Sequence, residues 1–475
     1  MSFAAIAPDM TPLKTSRDFR AVFGSRTVAM VGAQATDVAL LVQAKQLTNS
    51  PLPVGLLGLA EFVPLLVFSM YGGVLADRLD RKALMRWCEP ALAACAGLLL
   101  LNALLPTPLL WPLYAVATLM TSVAAVQRPS FDAAVPRLVP KDQQTAAMAL
   151  LSMSQTATVL AGSAIGGVLA ITPGAYSVYA LDAAGFVVSF WFLSRLPSLP
   201  QPQRSRSGNR ETVVRDIATS LRYAVSRKDL MGSYLVDLAA MIFAYPNALL
   251  PFMAAILHAP WAAGLMFAAP SAGAFIVSAT SGWMNRVRRH GVAIAVAAAT
   301  WGAALAALGL APDVWVGLLL LAVAGGADEA SAVFRSVLWN QTIPDELRGR
   351  MAGVELLSFG AGPAAGQLRG GVVARFAGSQ IALVSGGLAC IAGVAAACVA
   401  LPSFWRYRAA GPPAPGSSGD SPVGSDAPAV PEVALQGYRE VGRCMGRRAG
   451  TNGALHGAAG GDKAGQCRSR RDSIA

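Results

Sequence analysis

Four acidic side chains fall inside long apolar runs of the chain: Asp37, Glu61, Asp237 and Asp328, the last followed directly by Glu329. A carboxylate at mid-membrane costs roughly 2.5–3.5 kcal/mol on insertion scales, so acids in such runs are rarely kept without a use. Their chemistry offers binding of protons or of a substrate, because an acid withheld from water links its protonation to the conformation around it. The plainer use is structural, a carboxylate held by Ser or Thr neighbours. For Asp328 that reading supplies a partner, Arg335, two helical turns along on the same face. Asp182 is a further acid, but it lies in the outer third of its run, where water reaches easily.

A second cluster is the basic turn Gly72-Gly73-Val74-Leu75-Ala76-Asp77-Arg78-Leu79-Asp80-Arg81-Lys82, which ends one apolar run and closely precedes another. Charges of this density cannot lie in hydrocarbon, so the turn marks a boundary between membrane and water. Gly73 lets helices approach closely, and Asp77 suits the N-terminus of a neighbouring helix, whose dipole favours an anion. The bland alternative is that Arg78, Arg81 and Lys82 only orient the chain in the membrane. No Gly-x4-Gly-Lys-Ser/Thr appears and the three histidines are isolated, so ATP hydrolysis, a metal site, a cofactor and enzymatic activity are not expected.

The elements that hold these residues follow from composition. At 54% hydrophobic, 13% charged and a mean hydropathy of +0.50 over 475 residues, the chain is too apolar for a soluble globule and too long for a single anchor. A span needs about 20 apolar residues. Twelve such helices are expected at 22–46, 53–76, 84–105, 109–128, 146–171, 175–195, 230–256, 262–284, 290–311, 314–335, 351–373 and 379–401. Alternating ~10-residue segments, the mark of a membrane barrel, are not what the sequence shows. Loops carrying Lys14, Arg17 and Arg20, the basic turn, Arg137 and Lys141, Arg286 to Arg289, and Arg348 with Arg350 fall on one side. That side is expected to be cytoplasmic, with both termini on it and no leader removed. The net charge of +12 is accounted for by topology and anionic lipid, without nucleic acid.

The expected organisation is a cytoplasmic N-terminus (1–21), a six-helix half (22–196), a cytoplasmic linker with an amphipathic helix (197–229), a second six-helix half (230–402) and a disordered cytoplasmic tail (403–475). The halves look like repeats. Pro51-Leu52-Pro53-Val54-Gly55-Leu56 recurs as Pro260-Trp261-Ala262-Ala263-Gly264-Leu265, Gly73 recurs as Gly282 at the same spacing, and Val139-Pro140-Lys141-Asp142 is echoed by Ile343-Pro344-Asp345-Glu346. Pro64, Pro246, Pro251 and Pro363 fall inside the runs as kinks, either hinges or static bends. Trp87, Trp111 and Trp315 lie near the expected membrane edges. The six cysteines form no metal-ligand spacing and read as reduced bystanders.

Gly73-x3-Asp77-Arg78-x2-Arg81-Lys82, set between the second and third spans of a six-plus-six chain, resembles the signature loop of the major facilitator superfamily. Asn340-Gln341-Thr342-Ile343-Pro344-Asp345-Glu346-Leu347-Arg348-Gly349-Arg350 and Gly362-Pro363-Ala364-Ala365-Gly366-Gln367-Leu368-Arg369-Gly370 resemble the bacterial exporters grouped with the enterobactin exporter and the third drug:proton antiporter group. The resemblance implies an all-α fold of two pseudo-symmetric six-helix halves, with spans one, four, seven and ten lining a central cavity. It implies that Asp77 meets span eleven and that Arg81 bridges to Asp132 at the end of span four, closing the cytoplasmic side. Gly162-Ser163-Ala164-Ile165-Gly166-Gly167 is similar to the antiporter motif, with Ser163 where Pro is usual; close helix packing is an equal reading.

The expected function is export of a small organic molecule, a drug-like compound or a siderophore, across the bacterial inner membrane by alternating access and proton antiport. A monomer in contact with lipid, protons and cargo is expected. A lysophospholipid flippase, a nutrient importer or a non-transporting sensor of the same fold remain the alternatives.

Overall fold

The computed structural model describes residues 9–78, 80–196, 226–343 and 345–408, and their side chains except at 69–78, 132–133, 136, 141, 285 and 345–359. Most of the linker and the tail from 409 lie outside the described residues, and with them the expected amphipathic helix. A short helix, Thr11–Thr15, is followed by α1 (Arg17–Thr48), α2 (Pro51–Arg78), α3 (Arg81–Ala103), α4 (Trp111–Leu138), α5 (Gln144–Leu169) and α6 (Ala175–Ser194). Then come α7 (Lys228–Ala244), a short helix Leu250–Ile256, α8 (Ala263–Ala279), α9 (His290–Leu308), α10 (Val314–Thr342), α11 (Asp345–Ala377) and α12 (Ser379–Ala400). The described residues contain no strand.

Helices win because a backbone in hydrocarbon must satisfy its own N–H and C=O groups. Eight stretches of the described residues are long and apolar enough to cross a membrane, and one of them, Gln144–Ser194, contains both α5 and α6. Their ends are set by local chemistry. Ser16 caps α1 by accepting from the Phe19 N–H at 3.1 Å, Asp80 caps α3 through Lys82 at 2.8 Å, and Asp313 caps α10 through Trp315 and Val316. Helix α1 begins already at Arg17, with Phe19 fully buried, so the N-terminal boundary lies before the expected residue 22.

Two spans are interrupted. Between α5 and α6 a single π-helical turn, Ala170–Gly174, carries Pro173 and ends on Gly174 at φ 121°, a backbone conformation that favours glycine. Span seven breaks after Ala244, and Pro246 stands in that break. Pro251 is therefore no interior kink: it occupies the first turn of Leu250–Ile256, where a missing N–H is harmless. Pro64 and Pro363 do lie inside helices. The expected tail also begins too early at 403, since Pro402–Trp405 is helical and Phe404 is fully buried against Gly232 of α7 and Gly291 of α9.

The packing repeats by six helices. Contacts of α1 with α5 and α6, of α2 with α4, and of α3 with α4 and α6 recur as α7 with α11 and α12, α8 with α10, and α9 with α10 and α12. The two groups meet chiefly through α2 on α11 and α5 on α8, which are equivalent under the same repeat. Both crossings are made of glycine. Gly167 of α5 lies backbone to backbone on Gly264 of α8, and Gly55 of α2 lies on Gly371 of α11, so that a methyl group at any of the four would meet main chain. All four stand at the end of the bundle opposite the basic turn, here termed the outer end. Trp111 and Trp315, each 67% exposed at the start of a helix, face outward there as well.

Candidate functional site

Below the glycine crossings the two groups separate around a cavity of about 460 Å³. Gln34 and Asp37 of α1, Glu61 of α2 and Ser163 of α5 line it from one group. The other group contributes Tyr245 and Asn247 from the break after α7, Trp301 of α9, Asp328 and Glu329 of α10, and Gln367 of α11. Three of the four expected acids, Asp37, Glu61 and Asp328, thus share one chamber. No Lys, Arg or His is among the described residues lining it. Gln34 donates to Asp37 at 3.2 Å and Ser278 donates to Glu329 at 2.9 Å. Four carboxyl groups facing one space whose described lining holds no basic residue repel one another as anions, so the chamber suits protons or a cationic group.

The fourth expected acid goes elsewhere. Asp237 of α7 forms a buried ion pair with Arg335 of α10, the two side chains 1% and 4% exposed. Asp328, whose side chain is 40% exposed, stands 3.9 Å from the other terminal nitrogen of the same guanidinium. The tight partner of Arg335 is therefore Asp237 on the neighbouring helix rather than Asp328 on its own. Ser233 and Tyr234 close this region from α7: Trp339 donates its indole N–H to the Ser233 hydroxyl at 2.9 Å and stacks on Tyr234.

A second cavity of about 420 Å³ shares Gln34, Asp37 and Glu61 with the first and continues within the N-terminal group. Its wall includes Arg26, Glu89, Gln127 and Arg128. Glu89 escaped the sequence reading because it lies early in its helix beside Pro90 and close to the basic turn, although it is an acid inside a span as much as Asp37 is. Asp182 is corrected too. It is fully buried rather than wetted, accepts from Thr36 at 2.7 Å, and sits where Gly32 of α1 leaves room for it.

The shared chamber is walled by α1, α10 and the break after α7, as the resemblance implied, and also by α2, α5, α8, α9 and α11, whereas α4, which the resemblance placed there too, lines the side cavity instead. In α11, Arg369 donates to the Phe243 carbonyl and, at 3.1 Å, to the Ser385 hydroxyl. It thereby satisfies a carbonyl at the end of α7 that a continuous helix would have used. Of the expected gate, Gly73, Asp77 and Arg78 occupy the end of α2, but their side chains and that of Asp132 lie outside the described residues. Arg81 and Lys82 open α3, and the Lys82 ammonium donates to the Leu196 carbonyl at the end of α6, within its own group. Among the described residues no group of three or more His, Cys, Asp or Glu could hold a metal ion.

Residues 7–410 match the family described as transmembrane secretion effector. The chain belongs to that family of the major facilitator superfamily. It is 30% identical over 384 residues to the enterobactin exporter EntS of Citrobacter koseri, covering 80% of this chain and 90% of that one. It is 29% identical over 421 residues to the enterobactin exporter EntS of Escherichia coli O157:H7, covering 86% and 98%. Among solved structures it resembles a POT family transporter in complex with 5-aminolevulinic acid, with a TM-score of 0.67, 12% identity and coverage of 82% and 97%. It also resembles the D-xylose-proton symporter, with a TM-score of 0.62, 12% identity and coverage of 80% and 96%. At those identities the likeness shows the fold. Membership of the family makes the chain a small-molecule transporter of the membrane and not an enzyme.

Proposed function

We propose that this transporter exports a small organic molecule from the bacterial cytoplasm across the inner membrane in exchange for protons. The observation that carries the reading is the shared chamber. Asp37 and Glu61 of one group and Asp328 and Glu329 of the other face a single space lined by no described basic residue. Protons enter on Asp37 and Glu61, and cargo docks against the opposite wall, where Tyr245 and Asn247 add hydrogen-bonding groups. Because like charges are relieved by either a proton or a cationic group, the two compete, and competition for one cavity is what makes an exchanger. The names of the relatives favour a siderophore as cargo, and the acidic wall favours a positively charged compound.

In this reading the basic end is cytoplasmic, as the positive loops require, and both termini lie there. The glycine crossings close the outer end. Gly73, Asp77, Arg78, Arg81, Lys82 and Asp132 form the inner clasp that closes when the outer end opens, with Asp77 at the N-terminus of α11. The test is uptake into energised inverted membrane vesicles of enterobactin and of ethidium, a lipophilic cation, with and without a protonophore. Uptake of one probe that the protonophore abolishes is the expected result; uptake of neither, or uptake indifferent to the protonophore, would reject proton-driven export.

A further inference from the structure

The side cavity of the N-terminal group holds a carboxyl group that the exchange reading leaves unused. Glu89 of α3 is 1% exposed and borders that cavity. Its Oε1 accepts from the Gln127 amide of α4 at 2.8 Å, and the same nitrogen donates to the Met85 carbonyl at 2.9 Å, which fixes the amide. Its Oε2 has no hydrogen-bond partner. The Ser189 hydroxyl of α6 stands beside Glu89 as a further polar neighbour and also pairs with the Ser25 hydroxyl of α1 at 2.6 Å. An unpaired carboxylate oxygen shielded from water forfeits its solvation, at a cost that is larger for the anion than for the neutral acid. Whatever the cavity beside Glu89 brings to neutralise it would relieve that cost.

The charged groups on the packed elements define what that is. Arg26 of α1 and Arg128 of α4 line the same cavity, with Arg26 over the Phe131 ring. Arg86, on the helix of Glu89 itself, is turned to the rings of Trp87 and Phe190. From α6 comes Asp182, buried and held by Thr36, and from α1 and α2 come Asp37 and Glu61 at the point where the two cavities join. Glu89 thus ends a row of carboxyl groups leading from the shared chamber into the N-terminal helices. Among the described residues Glu89 makes no ion pair, and the ligand that suits a buried carboxyl oxygen without a donor is a proton.

We propose that Glu89 is a second proton-binding site, loaded at Oε2 through the side cavity and in exchange with Asp37 and Glu61. The step forms one O–H bond and converts carboxylate to carboxylic acid; no other bond changes. The proposal rests on the proton-exchange reading and places the proton route in the N-terminal six helices, apart from Asp328 and Glu329.

The experiment uses the full chain in lipid nanodiscs. Wild type and Glu89→Gln are titrated with acid while infrared difference spectra record the carbonyl stretch of protonated carboxylic acids. The wild type is expected to show a band that grows as pH falls, and Glu89→Gln to lack one carboxyl of it. Gln127→Leu, which removes the donor and keeps the acid, is expected to move the same band. Ethidium uptake by Glu89→Gln in inverted vesicles should lose its dependence on pH while ethidium binding remains. A spectrum unchanged by both substitutions, or a wild-type pH profile in Glu89→Gln, overturns the proposal. Should Glu89→Gln fail to fold, the Gln127→Leu spectrum decides alone. Wild-type uptake indifferent to a protonophore would instead remove the exchange reading, while the infrared titration still judges Glu89.

Discussion

Arg335 of α10 is locked to Asp237 of α7 in a buried ion pair, and its second terminal nitrogen stands 3.9 Å from Asp328 at the cavity wall. One guanidinium therefore ties the interrupted span seven to an acid that faces the transport chamber. Removing one partner of a buried pair leaves an uncompensated charge and costs about 3–5 kcal/mol, whereas removing both costs far less. Asp237→Asn and Arg335→Gln are each expected to lower the thermal unfolding temperature of the purified protein, and the double substitution to recover most of the loss. Single substitutions without effect on unfolding would show the pair to be idle.

Asp37 and Glu61 face the chamber from adjacent helices. Asp37→Asn or Glu61→Gln is expected to abolish uphill, proton-driven uptake into inverted vesicles while leaving downhill equilibration of the same probe in place. An unchanged uphill rate in either variant would remove that residue from the coupling site.

The glycine crossings admit no side chain. Gly167→Val drives a branched side chain into the backbone of Gly264, and overpacking of this kind costs about 1–3 kcal/mol. The substitution should bias the transporter toward the state with its outer end open. Spin labels on Thr172 and Trp261, on the two turns that flank this crossing, should move apart in the variant, and Gly371→Val should produce the same shift through the equivalent crossing. Label distances equal to wild type in both variants would show that the outer closure does not depend on these contacts.

One pH effect lies outside the spans. At Asp229, ahead of span seven, burial pulls the carboxyl upward, but the hydrogen bond and charge of Arg227 and the Leu230 N–H outweigh it and hold Asp229 below the usual carboxylate range. A lowered folded value contributes stability that is present above about pH 4 and is lost as pH falls through that folded value. Because Arg227 is 35% exposed, screening limits the pair to at most about 1 kcal/mol. Hydrogen exchange in the first turn of α7 should therefore quicken at acid pH in wild type, and Asp229→Asn should show that faster exchange at neutral pH already.

The spans were legible because the rule behind them is one-dimensional: a stretch that cannot leave its backbone unpaired in lipid must be apolar and helical along its whole length. The recurrence of Pro51 to Gly55 at Pro260 to Gly264 was legible for the same reason. A second recurrence stands beside it. Gly162, Gly166 and Gly167 of α5 repeat as Gly366, Gly370 and Gly371 of α11, at the spacing that separates Pro140 from Pro344. In the structure Gly162 and Gly166 pack on α1, Gly366 packs on α7 and Gly370 on Leu249 in the break after it, and the third of each set makes the crossing between groups.

Sequence alone determined that this chain threads a membrane as repeated helices and that a few acids had to be sheltered inside. Tertiary structure decided which of those acids share a chamber. Arg335 had Asp328 within reach along its own helix, yet Asp237 on another helix holds it; Asp182, near the end of a span, is dry because Gly32 lets α6 press against α1; Glu89, close to a basic loop, is buried with one oxygen lacking a hydrogen bond. Partner choice and hydration depend on distances between helices that lie far apart in the chain, and no periodicity within one helix carries that information.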